Sequence, residues 1–238
     1  MISVVIPAYN EAEHIGRTLH SLAVQQFDQP FEVIVVDNNS TDNTNEVALQ
    51  SKGNLNLRVI KEIKRGRGAA RAAGFAAAQG DIICSADADS ILPPNWLSAI
   101  TAPLLKNDAY VATAGSCQIA DCPPFTNWFF NWFQPALMYV YQFFLGHVFL
   151  SGFSSAMRKS AYQTSGGFSP TLNAMEDNEV AFRISKIGRI KFVPDCVVTV
   201  SGRRFQPSLL KGLFSYVTPF VNVFILRKQE AYLRDVRK

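Results

Sequence analysis

Charged residues are scarce in this 238-residue chain. They make up 18% of the sequence, whereas about 25% is usual for a soluble domain. The net charge of +4 is too small to indicate a nucleic-acid partner. The four cysteines have no Cys-x-x-Cys spacing, which favours isolated buried thiols in a reducing compartment. Because the start has no basic segment and no small-residue cleavage site, we expect no signal peptide.

The longest stretch without charge is 122–157, which contains no Asp, Glu, Lys or Arg. By count it is long enough to span a bilayer, but several residues interrupt it, namely Asn131, Gln134, Pro135, Gln142 and Gly146. If this stretch spanned a membrane, the acidic motifs before it (87–89) and after it (176–179) would lie on opposite sides of that membrane. Its Trp and Tyr residues instead predict a location at a membrane interface. We expect His147 within it to be a packed or interfacial histidine.

A second uncharged stretch, 212–226, is too short to span a bilayer comfortably and contains Pro219. Basic residues follow it and outnumber Glu230 and Asp235, namely Arg227, Lys228, Arg234, Arg237 and Lys238. An apolar helix beside a basic tail predicts adsorption to an anionic membrane surface, here the cytoplasmic leaflet. The alternative is that the two uncharged stretches cover each other or form a homodimer interface.

Elsewhere the chain alternates between strand and helix patterns. Four apolar runs predict short buried strands, namely 2–6, 31–36, 55–60 and 82–85. Helical spacing follows Asn10, a predicted N-cap, and an Ala-rich helix is predicted over 66–79. This alternation predicts one α/β domain with a mostly parallel, doubly wound sheet flanked by helices, followed by an apolar helical tail.

Three polar clusters fall at predicted carboxyl ends of strands, at 7–11, 37–42 and 87–89. Ligands bind at these ends in such sheets. The third cluster places the carboxylates of Asp87 and Asp89 beside a buried strand, where unpaired charge is costly. A hard divalent cation such as Mg²⁺ or Mn²⁺ would satisfy them and share phosphate oxygens. A solvated Asp-rich turn is the alternative, but the coincidence of three clusters favours a binding site.

Five short motifs follow one another along the chain: 3–11 (SVVIPAYNE), 35–42 (VVDNNSTD), 87–89 (DAD), 165–168 (SGGF) and 176–179 (EDNE). Together they resemble the successive signatures of the family 2 glycosyltransferases. The resemblance covers roughly residues 2–204. It implies a GT-A fold and a nucleotide-diphosphate-sugar donor, such as a UDP- or GDP-sugar.

The resemblance also implies roles at the donor. Pro7, Tyr9 and Glu11 would lie along the nucleoside, with Glu11 accepting a hydrogen bond from a ribose hydroxyl. Asp37 would accept one from the base, as a carboxylate can from an N–H group. A turn-capping aspartate is the alternative at that position.

A basic run precedes and opens the Ala-rich helix, and guanidinium groups match phosphate geometry. We expect Arg71 and Arg67 to contact the donor, and the remaining cations to form a solvated loop, namely Lys61, Lys64 and Arg65. The glycines of 66–71 lack the third glycine of a dinucleotide-binding motif and do not follow the first strand. We therefore reject that function.

An inverting transfer needs a carboxylate that accepts the proton of the attacking hydroxyl. The resemblance implies that Asp177 is this base, with Glu176 beside it. Stabilisation of a helix N-terminus is the alternative role for both. The histidine that many relatives carry after the last core strand is missing from 197–205. We expect Arg204, or else Arg203, to contact the diphosphate in its place, and the metal to rest on Asp89 and Asp87.

These observations predict a GT-A domain over 1–204, with a donor part (1–115) and an acceptor and base part (116–204), and a membrane-associating or oligomerising tail over 205–238. The expected function is metal-dependent, inverting transfer to a hydroxyl acceptor, a glycan or lipid-linked glycan, at the cytoplasmic membrane face. A polyprenyl-phosphate glycosyltransferase is one alternative. A nucleotide-sugar-binding subunit without activity is another.

Overall fold

Strands and helices alternate from Ile2 to Phe220 in the computed structural model, which describes residues 1–226 and 228. The strands are β1 (Ile2–Ala8), β2 (Phe31–Asp37), β3 (Asn56–Lys61), β4 (Ile82–Ser85), β5 (Tyr110–Gln118), β6 (Ser155–Arg158) and β7 (Arg189–Thr199). The helices are α1 (Ile15–Ala23), α2 (Thr44–Gln50), α3 (Arg67–Ala77), α4 (Trp96–Lys106), α5 (Pro124–Leu145), α6 (Lys159–Thr164), α7 (Glu176–Ile184) and α8 (Leu209–Phe220). A single π-helical turn, Val221–Ile225, follows α8 directly.

The strands form one seven-stranded sheet in the order β3-β2-β1-β4-β6-β5-β7. Pairing is parallel from β3 to β4 and again between β5 and β7. Strand β6 is antiparallel to both of its neighbours. The predicted α/β class with a mostly parallel sheet is therefore confirmed. Because β6 inserts between β4 and β5, one sheet runs through both predicted parts of the domain.

Helices cover both faces of the sheet. On one face α1, α2 and α4 pack against the strands, and Trp96 is fully buried there. On the other face α3, α5 and α7 contribute buried residues, including Phe75 and Met138. The strands of the parallel part are buried on both sides, which accounts for their continuous apolar runs.

The first two polar loops differ from the sequence prediction in their details. Asn10 does not cap α1, which begins at Ile15. It has a left-handed φ of 51°, its N–H donates to Ser40 Oγ (3.1 Å), and its Oδ1 accepts from the Thr41 N–H (2.8 Å). The contacts between loops compete with helix capping for the same side chain. They hold the carboxyl ends of β1 and β2 together.

The uncharged stretch forms the long helix α5, with Pro135 inside it. Across residues 1–226 and 228, no helix combines the length and the apolar character needed to cross a membrane. His147 is buried and its ring packs against Tyr141 and Phe182, as expected. The predicted basic tail, apart from Lys228, lies outside the described residues.

Candidate active site

A cavity of about 1120 Å³ opens beyond the carboxyl ends of β1 and β4. Pro7 and Tyr9 line it from the end of β1, and Asp87 and Asp89 line it from the end of β4. Asp177, at the start of α7, lines the same cavity together with Glu176. The fold therefore brings the first, third and fifth motifs into one site.

A buried arginine joins two of these motifs. Arg71, on α3, is only 3% exposed; its Nη2 donates to Asp87 Oδ1 at 2.6 Å and its Nη1 donates to the Glu176 carboxylate. Gly152 allows this arrangement, because a Cβ at that position would collide with the guanidinium. Arg71 was predicted to contact the donor. In the structure it lines the cavity with its charge already shared between two carboxylates, so it fixes Asp87 relative to α7.

The Asp177 carboxylate is held by backbone donors. Its Oδ2 accepts from the Gly152 N–H (3.1 Å) and its Oδ1 from the Asn178 N–H (2.8 Å). Met175, with a φ of 60°, turns the chain sharply into α7 just before it. Burial raises the pKa of Asp177 to about 7, and the Glu176 charge adds to this while Arg71 opposes it. This carboxyl group therefore changes protonation near neutral pH.

A second arginine joins the first and third motifs. Arg203 binds Glu11 through both terminal nitrogens (2.7 and 3.2 Å) and also donates to Asp89 Oδ2 (2.8 Å). Glu11, predicted to meet a ribose, lines the cavity, is 4% exposed and binds Arg203. Arg204, preferred over Arg203 in the sequence analysis, lines the cavity with its guanidinium 5.7 Å from the centre of the Tyr216 ring.

Negative charge exceeds positive charge in this cluster. Four carboxylates, those of Glu11, Asp87, Asp89 and Glu176, pair with two guanidinium groups, those of Arg71 and Arg203, and backbone N–H groups hold a fifth carboxylate, that of Asp177. The net charge of these seven groups is −3 when all are ionised, and three further arginines of the same cavity, Arg65, Arg67 and Arg204, balance it. Burial raises the pKa of Asp89 to about 7; the charges of Asp87 and Glu11 raise it as well, and Arg203 lowers it.

This chemistry fits a hard divalent cation. The described residues contain no group of three or more His, Cys, Asp or Glu side chains arranged to hold a metal. Asp87 and Asp89 each give one carboxylate oxygen to an arginine. A cation at this site would therefore take two aspartates from the protein and its other ligands from phosphate and water, which suits Mg²⁺.

Two of the other residues predicted to bind the donor, Tyr9 and Arg67, line the cavity. Arg65, predicted to be solvated, also lines it; its guanidinium donates to the Tyr9 hydroxyl (3.1 Å) and lies 5.1 Å from the centre of the ring. Asp37 is not among the described residues that line the cavity. It is 4% exposed and accepts from the Ser40 N–H (2.9 Å), which is the turn-capping role left open as its alternative.

Two polar side chains of the cavity were missed by the sequence analysis. Gln134 is 6% exposed and its Oε1 accepts from Ser116 Oγ (2.8 Å), but its Nε2 has no hydrogen-bond partner among the described residues. Ser151 is 2% exposed, and its Oγ is unpartnered in the same part of the chain. A glutamine in an uncharged aromatic helix was a signal that could have singled out Gln134.

Comparison with known proteins agrees with this geometry. The profile described as "Glycosyl transferase family 2" matches residues 3–166. The chain belongs to this family. An undecaprenyl-phosphate 4-deoxy-4-formamido-L-arabinose transferase of Serratia proteamaculans is 37% identical over 98 residues, which are 39% of this chain and 30% of that protein.

Solved glycosyltransferase structures share the fold. The mannosyltransferase PcManGT from Pyrobaculum calidifontis, in complex with GDP-Man and Mn²⁺, has a TM-score of 0.72 at 22% identity, covering 97% of this chain and 65% of that one. S. aureus TarS 1-349 in complex with UDP has a TM-score of 0.70 at 22% identity, covering 95% and 66%. The predicted GT-A fold is thus confirmed. The chain matches about one third of the length of the first curated relatives.

Proposed function

We propose that this protein transfers a glycosyl group from a nucleotide-diphosphate sugar to a hydroxyl acceptor with inversion. The observation that supports this most is the position of Asp177. It lines the same cavity as Asp87 and Asp89, and its carboxyl has a pKa of about 7. A general base is most effective when its pKa lies near the working pH.

The donor would lie over the carboxyl ends of β1 and β4. The relatives in complex with GDP-Man and with UDP support a GDP- or UDP-sugar. Tyr9, stiffened by Arg65, offers a ring on which a nucleobase or ribose can pack. Arg67 and Arg204 line the cavity and match the diphosphate in charge. Asp37 stays a prediction as a contact to the base.

Asp87 and Asp89 would hold the divalent cation, which neutralises the leaving diphosphate when it is bound. The Mn²⁺ in the PcManGT complex supports this assignment. Arg203 keeps Asp89 and Glu11 in place from the opposite side. Asp177 would take the proton of the acceptor hydroxyl as the new carbon–oxygen bond forms. As that bond forms, the bond from the sugar carbon to the diphosphate oxygen breaks, and its electron pair leaves with the diphosphate.

A phosphate acceptor is the second candidate. The Serratia relative is named for transfer to undecaprenyl phosphate, and a phosphate acceptor is already ionised and needs no base. A carboxylate such as Asp177 would repel it. Comparing a polyprenyl phosphate with a hydroxyl acceptor in the same assay separates the two reactions.

The test begins with a thermal-shift screen of nucleotide sugars in the presence of Mn²⁺. With the donor that binds, Asp177→Asn should keep donor affinity and lose roughly 10²- to 10⁴-fold in transfer, the usual span for general base catalysis. If calorimetry shows that donor binding is lost as well, Asp177 belongs to the donor site. A protein that binds donor but never releases nucleoside diphosphate would be a binding subunit, contrary to the proposal.

We also propose that the protein adsorbs to the cytoplasmic face of an anionic membrane. Large apolar side chains are exposed on α5 and at the chain end, for example Phe143 (83% exposed), Phe144 (76%) and Ile225 (64%). Lys211 and Lys228 are exposed nearby in sequence. All four cysteines are unpaired, which supports a reducing compartment. A homodimer formed through the same surface is the competing explanation.

A further inference from the structure

Two helices with few charged residues, α5 and α8, line a part of the candidate active site that is here called its apolar end. On α5, Phe130, Phe133, Leu137 and Tyr141 line the cavity; on α8, Leu213, Tyr216, Val217 and Phe220 do so. On α5 these residues are three or four positions apart, and on α8 Tyr216 and Val217 both lie three or four positions from Leu213 and Phe220, so each set forms one face. Helix α5 carries no charge, and Lys211 is the only charged residue of α8.

Polar groups lie where this apolar end meets the catalytic carboxylates. Gln134 is on the cavity-lining face of α5, and its buried Nε2 has no hydrogen-bond partner in the described part of the chain. Ser151, with an unpartnered Oγ, directly precedes Gly152, whose N–H binds Asp177. The Asp177 charge raises the pKa of Tyr141 further, after burial, which places that phenol near the base. Buried donors without partners are costly, and a ligand hydroxyl would satisfy them.

The size of the cavity also points to a second ligand. Its volume of about 1120 Å³ exceeds the range of about 300–1,000 Å³ that is usual for one drug-sized ligand. The polar end, with Tyr9, Asp87 and Asp89, suits the nucleotide sugar. Along α5 and α8 the cavity lining is mostly aromatic and aliphatic, with the Arg204 guanidinium beside Tyr216.

We propose that the acceptor is an amphiphile. Its neutral, hydroxyl-bearing head is held by Gln134 and Ser151 beside Asp177, and its hydrocarbon chain lies between the cavity-lining faces of α5 and α8. This inference rests on the proposed function for the reaction, but the binding of the amphiphile requires neither donor nor metal. Where the head would lie, Gln134 and Ser151 are neutral, and the Asp177 carboxylate repels an anionic head.

The test measures the binding of hexyl, octyl and decyl β-glucoside, each below its micelle-forming concentration, to the full chain without nucleotide. Full burial of a methylene group tightens binding about fourfold, so octyl glucoside should bind roughly 4- to 15-fold more tightly than hexyl glucoside. Glucose alone should show no measurable binding. Isothermal titration calorimetry gives the affinities directly.

Two neighbouring positions on α8 provide a matched pair of variants. Val217 lines the cavity, whereas Thr218 is exposed outside it and has nearly the same shape. Val217→Asp should weaken octyl glucoside binding at least tenfold, and Thr218→Asp should leave it unchanged. Gln134→Glu keeps the oxygen that accepts from Ser116 and removes the N–H donors, so it should weaken octyl glucoside binding roughly 5- to 10-fold.

Several outcomes would overturn the inference. One is an affinity that does not change with chain length; another is an equal effect of Val217→Asp and Thr218→Asp. Flotation with vesicles but no binding of monomeric glucoside would show that this apolar end faces a bilayer instead. Failure here with intact nucleotide release would leave the proposed function standing. Glucoside binding without nucleotide release from any donor would contradict the proposed function alone.

Discussion

Replacing Asp177 by Asn should change how the stability of the protein depends on pH. The folded carboxyl has a pKa of about 7 because of burial and the neighbouring Glu176 charge, whereas an aspartate in the unfolded chain titrates near about 4. Between these pH values the unfolded chain releases the proton and the folded chain keeps it. The contribution of this group to stability is therefore complete below about pH 4 and is lost as the pH rises through 7.

The size of the effect follows from the two pKa values. For one carboxyl that shifts from about 4 to about 7, linkage gives a loss of about 2 to 3 kcal/mol in the free energy of unfolding between pH 5 and pH 8. Asparagine cannot ionise, so the variant lacks this loss. It does lose one acceptor for the Gly152 or Asn178 N–H, which costs about 1 to 3 kcal/mol. That cost is the same at both pH values and cancels in the comparison.

The assay is denaturant unfolding of both proteins at pH 5 and pH 8, with EDTA and without nucleotide. The variant should gain about 2 to 3 kcal/mol relative to the original chain between the two pH values. Asp28→Asn, at an exposed carboxyl outside the cavity, is the matched control and should follow the original chain. Parallel pH profiles for Asp177→Asn and the original protein would refute the argument that burial holds a proton on this carboxyl.

Three further predictions follow from the same structure. Asp89→Ala should abolish the thermal shift caused by Mn²⁺ and lower turnover about 10²-fold or more. Asp87→Ala should weaken donor binding as well. Full activity of Asp89→Ala in EDTA would rule out a role for the metal. Gly152→Ala should displace the Arg71 guanidinium and destabilise the protein by about 1 to 3 kcal/mol in chemical unfolding. Gly16→Ala, whose Cβ would meet Ser51 Oγ at 3.1 Å and Val47 Cγ1 at 3.8 Å, should have a mild effect. The full chain should float with anionic vesicles and be partly released by salt, since each nearby Lys or Arg adds about 1 kcal/mol on such a surface. Truncation after Arg204 should make the protein more soluble. A stable dimer that never floats with vesicles would show that the exposed apolar surface is a dimer interface.

Local patterns were sufficient to predict the first four strands and the helix α3. Apolar runs predicted β1 to β4 to within two residues, and the Ala-rich segment predicted α3. Parallel strands place their carboxyl ends at one edge of a sheet, so the convergence of Pro7, Tyr9, Asp87 and Asp89 could be predicted from strand order. The antiparallel β6 could not, because the insertion of Ser155–Arg158 between β4 and β5 depends on long-range pairing.

The charge pairs of the site were beyond the sequence analysis for the same reason. Arg203 and Glu11 are 192 positions apart, and Arg71 and Glu176 are 105 apart. A basic residue near a phosphate-binding motif predicts a phosphate contact. The local sequence does not show whether that residue is also paired with a carboxylate far away in the chain. Arg71 and Glu11, both predicted to contact the donor, line the cavity and are also held in ion pairs with distant partners.

These ion pairs explain why arginine occupies positions 71 and 203. Each guanidinium reaches two carboxylates that lie on different elements: Arg71 binds Asp87 and Glu176, and Arg203 binds Glu11 and Asp89. The planar fork of arginine can satisfy two carboxylates at once with directed hydrogen bonds, whereas lysine carries a single point charge. Arg71 thereby connects one aspartate of the candidate metal site to the residue before Asp177. The spacing between Asp87, a proposed metal ligand, and Asp177, the proposed base, is thus fixed by a buried side chain for which Gly152 leaves room.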